Sequence, residues 1–524
     1  MVERIKAGLS EILKAAPIGE ADYAAKGYHL FAEVSAADLQ NVARFFDEKG
    51  FYLTMIACVD YREYLELVYI FANHASLCKV KISLKVDPAR PVAPTVSAVF
   101  DCAYWYEREI REFYGVLFDG HPDMTYLFLH EGIDFYPLRK EQVPVTDEDK
   151  RALGAFRPEE AEDTFSINLG PQHPSTHGVL RVVLKMDGEY IEDARPVLGY
   201  LHRMHEKMAE NRGYVQFYAN TGRMDYLGAM AFNLGYVTAV ERLCGIAVPE
   251  RASYIRVIAT ELNRIQSHLM WLGAYLADLG ALTPFLYVFD DREEIHDILE
   301  PVTGSRLTYA YFRFGGLYND VDDQFAAKTR AFVSRLRSRF AMYEKLVTGN
   351  VIFLNRTRGI GVISRERARK YGLSGPVLRA AGIPMDLRKM EPCAAYGATA
   401  FNIPVGTRGD VLDTYNVRVM EMENALKIIE QCLDKMTEGP VMAEKVPKKL
   451  KPPKGDIYHV VETPRGEVGI YIVSDETDTP YRMKWRVPSF ANLMVFPELA
   501  KGCLLADAVA ILGSLDLVIP EIDR

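Results

Sequence analysis

Residues 224–243 read MDYLGAMAFNLGYVTAVERL. Apolar side chains recur here at i, i+3, i+4 and i+7, the spacing that lines one face of an α-helix. The same periodicity predicts long helices over roughly 200–218, 224–245, 250–280, 320–348 and 410–438. On either side of these helices the pattern changes. FSINLG and VLRVVLKMDGEYIEDARPV suggest a small antiparallel sheet ahead of them. VGIYIVSD and YRMKWRVP return to strands behind them, before a short helix and the closing IPEIDR. From Thr164 onward the chain therefore reads as mainly helical, with small sheets at its two ends.

The first part is built differently. MVERIKAGLSEILKAA is an amphipathic helix, and ADLQNVARFFDEKG is a second one ending at Gly50. FYLTMIACVDY, YLELVYIFAN and LCKVKISLKV are strands rich in β-branched and aromatic residues. The chain is too long for one ordinary core. We divide it into an α/β domain over 1–145, an acidic linker over 146–163 (TDEDKRALGAFRPEEAED) and a helical domain over 164–524, an α+β protein overall. A second connector, KVPKKLKPPKG at 445–455, is basic and proline-rich.

Net charge is −9, which argues against a broad nucleic-acid surface. The seven cysteines lack the close paired spacings of zinc and iron–sulfur sites, so no metal or cluster is expected on this chain alone. The first helix lacks the unbroken apolar run and small-residue cleavage site of a signal peptide, and an odd cysteine count fits a reducing compartment. Leu269–Phe289 (LMWLGAYLADLGALTPFLYVF) is long enough to span a bilayer, but Asp278 and Pro284 interrupt it. It reads as a helix buried in protein, with Asp278 needing a partner.

Three groups of residues could carry chemistry. GPQHPSTHGVLR (170–181) holds His173 and His177 four apart. Pro174 and the flanking glycines make a loop rather than a helix, and no Glu lies between them as HExxH requires, so a zinc pair is not the reading. An imidazole in such a loop either shapes it or presents a proton donor to a pocket. Tyr226, at the start of a helix, either packs or donates to a carbonyl, with Arg223 one turn earlier. Asp278 is the carboxylate that would tune an imidazole.

The C-terminus narrows these alternatives. Nickel–iron hydrogenase large subunits close with DPCxxCxxH. Here DLVIPEIDR keeps the frame with Val518, Glu521 and Arg524 at the ligand positions, and HEKMAENRGYVQ puts Tyr214 where a further cysteine would stand, after Arg212. Without thiolates a soft metal site cannot form. Residues 164–524 resemble the D subunit of respiratory complex I, the metal-free relative of these hydrogenases. The matching stretches include GPQHPSTHGVLR, GYLHRMHEK, ELNRIQSHLMWLG, DLGALTPF, PVGTRGDVLD and ETPRGEVGIYIVSD. The first half resembles the C subunit through EREIREFYGVLFDGHPDM and DFYPLRK, in the order of the fused C/D form. Competing readings are a membrane-bound hydrogenase-type large subunit and a complex I-like enzyme fed by ferredoxin or another donor.

The resemblance implies a peripheral-arm subunit of a proton-pumping NADH:quinone-type oxidoreductase at the cytoplasmic face of the bacterial membrane. It packs on the B subunit, which carries the terminal [4Fe–4S] cluster, with the I subunit, the membrane-embedded H subunit and other arm subunits nearby. His177 and Tyr226 would hydrogen-bond the carbonyls of the quinone substrate, Asp278 would pair with His177, His173 would shape the loop, and Arg223 would lie beside the cluster. Two departures stand out. In TGSRLTYAYFRFGG, Thr308 replaces the family's histidine near the cluster, which predicts a lower and less pH-dependent potential. Met204 stands where the HRGxEK motif has glycine.

Overall fold

The computed structural model describes residues 1–14, 17–152, 165–172 and 178–524. In the first half the three strand runs form Phe51–Asp60, Leu65–Asn73 and Lys79–Val86, paired antiparallel. Leu30–Glu33 adds in parallel to Lys79–Val86, and Ile18–Glu20 closes the edge of a five-stranded mixed sheet. Strand Phe51–Asp60 is buried at all ten positions, because both faces are covered. Tyr106, on helix Ala103–Tyr114, donates to the Thr54 carbonyl at 3.2 Å. From the second half, Arg482 donates to the Cys58 carbonyl at 3.0 Å and Tyr481 to that of Asp60 at 2.6 Å. The amphipathic N-terminal helix forms over Val2–Leu13 and buries Ile5, Leu9 and Leu13 on one stripe.

Helix Ala103–Tyr114 carries EREIREF, a run that would suit a solvated face, yet nearly all of it is buried. Each charge has a specific role. Glu112 accepts the Leu127 and Phe128 amides at 2.9 and 3.1 Å, and burial pushes its carboxyl up to about 7. Glu109 pairs with Arg524 at 2.9 Å and with Lys484. Lys484 also reaches Glu206 at 3.2 Å, and Arg482 binds Glu206 at 2.6 Å. Burial opposes ionisation of Glu206, but Lys484, Arg482 and Arg524 hold it down to about 2. Two carboxylates and three cations thus join the two halves inside the protein.

Two expected boundaries shift. The acidic segment after 145 begins with a helix, Asp147–Ala152, rather than a bare connector. Thr146 caps it by accepting the Asp149 amide at 3.1 Å and donates its hydroxyl to the Asp149 carboxylate at 2.9 Å, while Asp149 accepts from Tyr136 at 2.9 Å, which ties it back to the first half. Residues 153–163 of that segment lie outside the described residues. The helix expected over 200–218 is instead His205–Glu210 followed by Tyr214–Met224, with Gly213 extended between them.

In the second half, Phe165–Leu169, Arg181–Asp187 and Tyr190–Val197 form the expected antiparallel sheet. Helices Ala229–Cys244, Glu250–Asp278, Leu282–Thr303, Asp323–Tyr343 and Val411–Lys435 make the body. Strands Gly455–Thr463, Gly466–Ser474 and Arg482–Arg486 pack beneath Ala229–Cys244. That approach is close enough that a Cβ on Gly235 would sit 2.8 Å from Val461.

The segment expected to be one buried helix, Leu269–Phe289, is two. Glu250–Asp278 ends at Asp278, Gly280 turns with φ 88°, and Pro284 sits in the first turn of Leu282–Thr303, where proline costs no hydrogen bond. Leu269–Leu276 is largely buried, as expected, but hydropathy fails on either side of it. The polar stretch ELNRIQSH is buried throughout, Asp278 is only half-buried, and Leu282 and Leu286 are about two-thirds exposed, at 64% and 65%. Among the described residues no helix is long and apolar enough to cross a membrane.

Removing one partner from the charge lock between the halves leaves buried cations uncompensated. Glu109→Ala is expected to destabilise the chain by roughly 3–5 kcal/mol, and Glu109→Gln by less. Denaturant unfolding of the purified variants checks this, and equal stability of Glu109→Ala and the parent would contradict it.

Candidate functional site

The helix that the sequence places from Met224 onward is interrupted at the residue that matters. Helix Tyr214–Met224 ends, residues 225–228 bend, and Ala229–Cys244 begins. Asp225 causes the break. Its side chain accepts the Leu227 and Gly228 amides at 3.0 and 2.9 Å, an Asx turn that competes with helical continuation. Tyr226 therefore rides on a four-residue bend, half-buried, instead of on a helix face shared with Arg223. Arg223 is exposed in the last turn of the preceding helix.

The bend is held from two sides. The second Asp225 oxygen takes the guanidinium of Arg465 at 2.8 Å. Arg465 projects from the two-residue hairpin turn between Gly455–Thr463 and Gly466–Ser474, and continues to Asp516 at 3.4 Å. Asp516 in turn pairs with Arg418 at 3.0 Å, and Arg418 lies over the Trp271 ring at 4.8 Å. From the other side Asn263 donates to the Leu227 carbonyl at 3.0 Å and accepts the Met230 amide at 3.1 Å. Burial raises the Tyr226 hydroxyl above its ordinary value; Arg465 opposes this, and Asp225 and Asp516 add to it. Tyr226 keeps its proton at neutral pH and can donate it.

The Asn263 lattice also reaches Tyr309, the neighbour of Thr308. Asn263 donates to Gln266 at 3.1 Å, and Tyr309 donates to the same Gln266 oxygen at 3.2 Å. Asn233 donates to the Tyr309 carbonyl at 2.6 Å and accepts from Thr221 at 2.6 Å. The Thr308 loop, the Arg223 helix end and the Tyr226 bend thus form one polar assembly. Thr308 itself has φ 49°, a left-handed backbone that a β-branched residue adopts at a cost and histidine tolerates better. Met204 is also left-handed, at φ 52°, the conformation a glycine takes freely.

Asp278 stands apart. It closes the helix that carries Asn263, fifteen residues further on and about 22 Å along the axis. His173 and His177 lie outside the described residues. Their loop joins Phe165–Leu169 to Arg181–Asp187, whose pairing is described from Leu169 opposite Val182.

Sequence reading missed the charges beneath the tyrosine. Beyond Arg418, Glu421 takes Arg379 and, at 3.2 Å, His268. Arg379 reaches Glu462 at 2.9 Å, and Arg388 pairs with Asp386 at 2.7 Å and Glu261 at 3.1 Å. Burial pushes His268 down to about 4, so it is neutral there. The available signal was ELNRIQSH itself, a polar run inside a long helix with apolar neighbours on every side.

Among the described residues no cluster of three or more His, Cys, Asp and Glu could hold a metal ion. Residues 32–148 match the family model described as the respiratory-chain NADH dehydrogenase 30 kDa subunit, and 278–450 and 444–524 match that of its 49 kDa subunit. Fold and comparison define a respiratory-chain oxidoreductase component in which two subunits share one chain. Over 363 residues it is 59% identical to the D subunit of NADH-quinone oxidoreductase from Syntrophobacter fumaroxidans, covering 69% of this chain and 97% of that protein. The D subunit of Desulfotalea psychrophila is 56% identical over 363 residues (69% and 98%), and that of Clostridium beijerinckii 50% over 362 (69% and 98%). The chain belongs to the NADH-quinone oxidoreductase family as a fused C/D subunit, one component of an oxidoreductase complex.

Truncating Arg465 would leave Asp225 buried without a counter-charge and Asp516 with Arg418 alone. Arg465→Ala is expected to cost roughly 3–5 kcal/mol and to loosen the bend. Thermal unfolding of the variant chain checks the cost, and an unchanged midpoint would show that the clamp contributes nothing.

Proposed function

We propose that this chain forms one wall of the site where the complex reduces the quinone head group, with Tyr226 as donor to one carbonyl. The observation that carries the reading is the Tyr226 hydroxyl, protonated at neutral pH and fixed on a bend clamped by Arg465 and Asn263. An oxygen that gains negative charge on reduction is stabilised by a donor that needs no reorganisation. His177 serves the second carbonyl, Asp278 pairs with His177, and His173 shapes the loop. Two electrons arriving from a partner and two protons complete the quinol.

Arg223 and Thr308, at the other edge of the same lattice, face the [4Fe–4S] cluster of the B subunit. The exposed Leu282, Leu286, Val351 and Ile352 are apolar surface for neighbours such as the membrane-embedded H subunit, with the I subunit also adjoining. The chain lies peripherally at the cytoplasmic face of the membrane. Quinone reduction there drives proton pumping by the membrane arm.

Tyr226→Phe in the assembled complex is expected to lower quinone reductase turnover by roughly 10²-fold while assembly stays intact. Unchanged turnover would instead favour a scaffold role. Thr308→His suits the left-handed backbone and adds a titratable cation, so redox titration across pH is expected to give a higher and more pH-dependent cluster potential than the parent's. Identical slopes would separate Thr308 from the cluster.

A further inference from the structure

A cleft of about 330 Å³ opens where helix Tyr23–Lys26 of the first half meets the second half, and it shares no residue with the Tyr226 site. Its lining includes Leu77, Thr238, Arg242, Glu391, Cys393 and His459. A neighbouring cleft of about 370 Å³ shares Thr238 and Arg242 and also borders Glu241, Ile246, Val248 and Arg256. Thr238 and Arg242 are four apart on helix Ala229–Cys244, so they lie on one face of it.

Arg242 joins the halves here. Its guanidinium donates to the carbonyls of Tyr23 at 2.9 Å and Ala24 at 2.7 Å, and to Nδ1 of His459 at 2.8 Å. A guanidinium can only donate, so Nδ1 accepts and the ring proton sits on Nε2. Burial first, and then Arg242 and Lys79, hold the ring well below its ordinary value, so it is neutral. That Nε2 has no hydrogen-bond partner among the described residues, and neither has the Thr238 hydroxyl. His459 is only 5% exposed, so an N–H left without an acceptor is costly there.

The charges around the two clefts leave one cation over. Glu391 holds Lys79 at 2.5 Å and accepts from Tyr23, and Glu241 holds Arg256 at 2.7 Å. No described carboxylate forms an ion pair with Arg242. A half-buried cation beside two donors that lack acceptors suits one negative charge. A phosphate would bring a second charge towards Glu391, which lines the same cleft. Leu77, Met390 and Pro392 make the remaining wall apolar.

We propose that this cleft binds a small organic carboxylate, whose oxygens accept from Arg242, Thr238 and His459 and whose hydrocarbon part lies against Leu77, Met390 and Pro392. Occupancy stabilises the seam between the halves, because Arg242 already holds Tyr23 and Ala24 of the first half. Binding needs only the folded chain and is independent of the quinone reading.

Butyrate is the probe, added to the purified full chain and followed by saturation-transfer NMR and thermal unfolding. Saturation transfer to butyrate is expected, with an unfolding midpoint that rises with its concentration. Butyramide, its uncharged counterpart, and inorganic phosphate are each expected to fail to displace it. Thr238→Val removes a hydroxyl that has no protein partner to lose. The ligand-free variant is therefore expected to be at least as stable as the parent, while its affinity for butyrate falls roughly tenfold. Arg242→Gln is expected to abolish binding, and because it also releases Tyr23 and Ala24, Thr238→Val is the deciding variant. Absence of transfer in the parent, as for a cleft that holds only water, would overturn the proposal. Equal affinity in Thr238→Val, or displacement of butyrate by either competitor, would overturn it too.

Discussion

One guanidinium organises the functional end of this protein. Arg465 has no exposed surface and is shared between Asp225, which makes the bend under Tyr226, and Asp516, which carries the charge on to Arg418. A buried ion of this kind is costly unless every lone pair and proton nearby is matched. Matching it draws in three distant parts of the chain: the bend at 225, the hairpin at 465 and the turn at 516. The tyrosine is held at a fixed height above this cluster because the cluster cannot relax without exposing an unpaired charge.

The two fused halves are joined by the same kind of interaction. Helix Ala103–Tyr114 places Glu109 among Lys484 and Arg524, while Arg482 and Lys484 hold Glu206. Strand Phe51–Asp60, at the edge of the first half's sheet, is wholly buried where Arg482–Arg486 meets it, so the interface resembles an interior rather than a transient docking surface. Fusion in one chain suits such an interface, since neither half could leave these charges bare in water-excluded surroundings without loss.

The parts of the fold that sequence patterns reveal are those stabilised by local periodicity. The strands at 51 and 65 were legible because burial on both faces makes them nearly continuous apolar runs, and the strand at 79 because apolar and polar residues alternate along it. Most of the long helices were legible because one apolar stripe repeats along them. The break at Asp225 was not, because an Asx turn overrides a helix-period pattern using a single side chain. The clamp was hidden because Asp225 and Arg465 are 240 residues apart. The burial of ELNRIQSH and the exposure of Leu282 ran opposite to hydropathy, since buried charge networks and exposed apolar surface both break that rule. At the site, hydrogen bonds through Asn263, Gln266 and Asn233 join the bend beside Tyr226 to Tyr309, the neighbour of Thr308, and to Thr221 in the helix that carries Arg223. Asp278 proved half-buried at a helix end, and His173 and His177 lie outside the described residues.

Tyr226 is proposed to meet the substrate oxygen from a bend that Arg465 immobilises. A structure of the assembled complex with a short-chain quinone bound tests that directly. The result expected is a quinone carbonyl oxygen within about 2.6–3.2 Å of the Tyr226 hydroxyl, with the Asp225–Arg465 pair intact beneath it. A head group seated elsewhere, with the Tyr226 hydroxyl bonded only to protein, would contradict it.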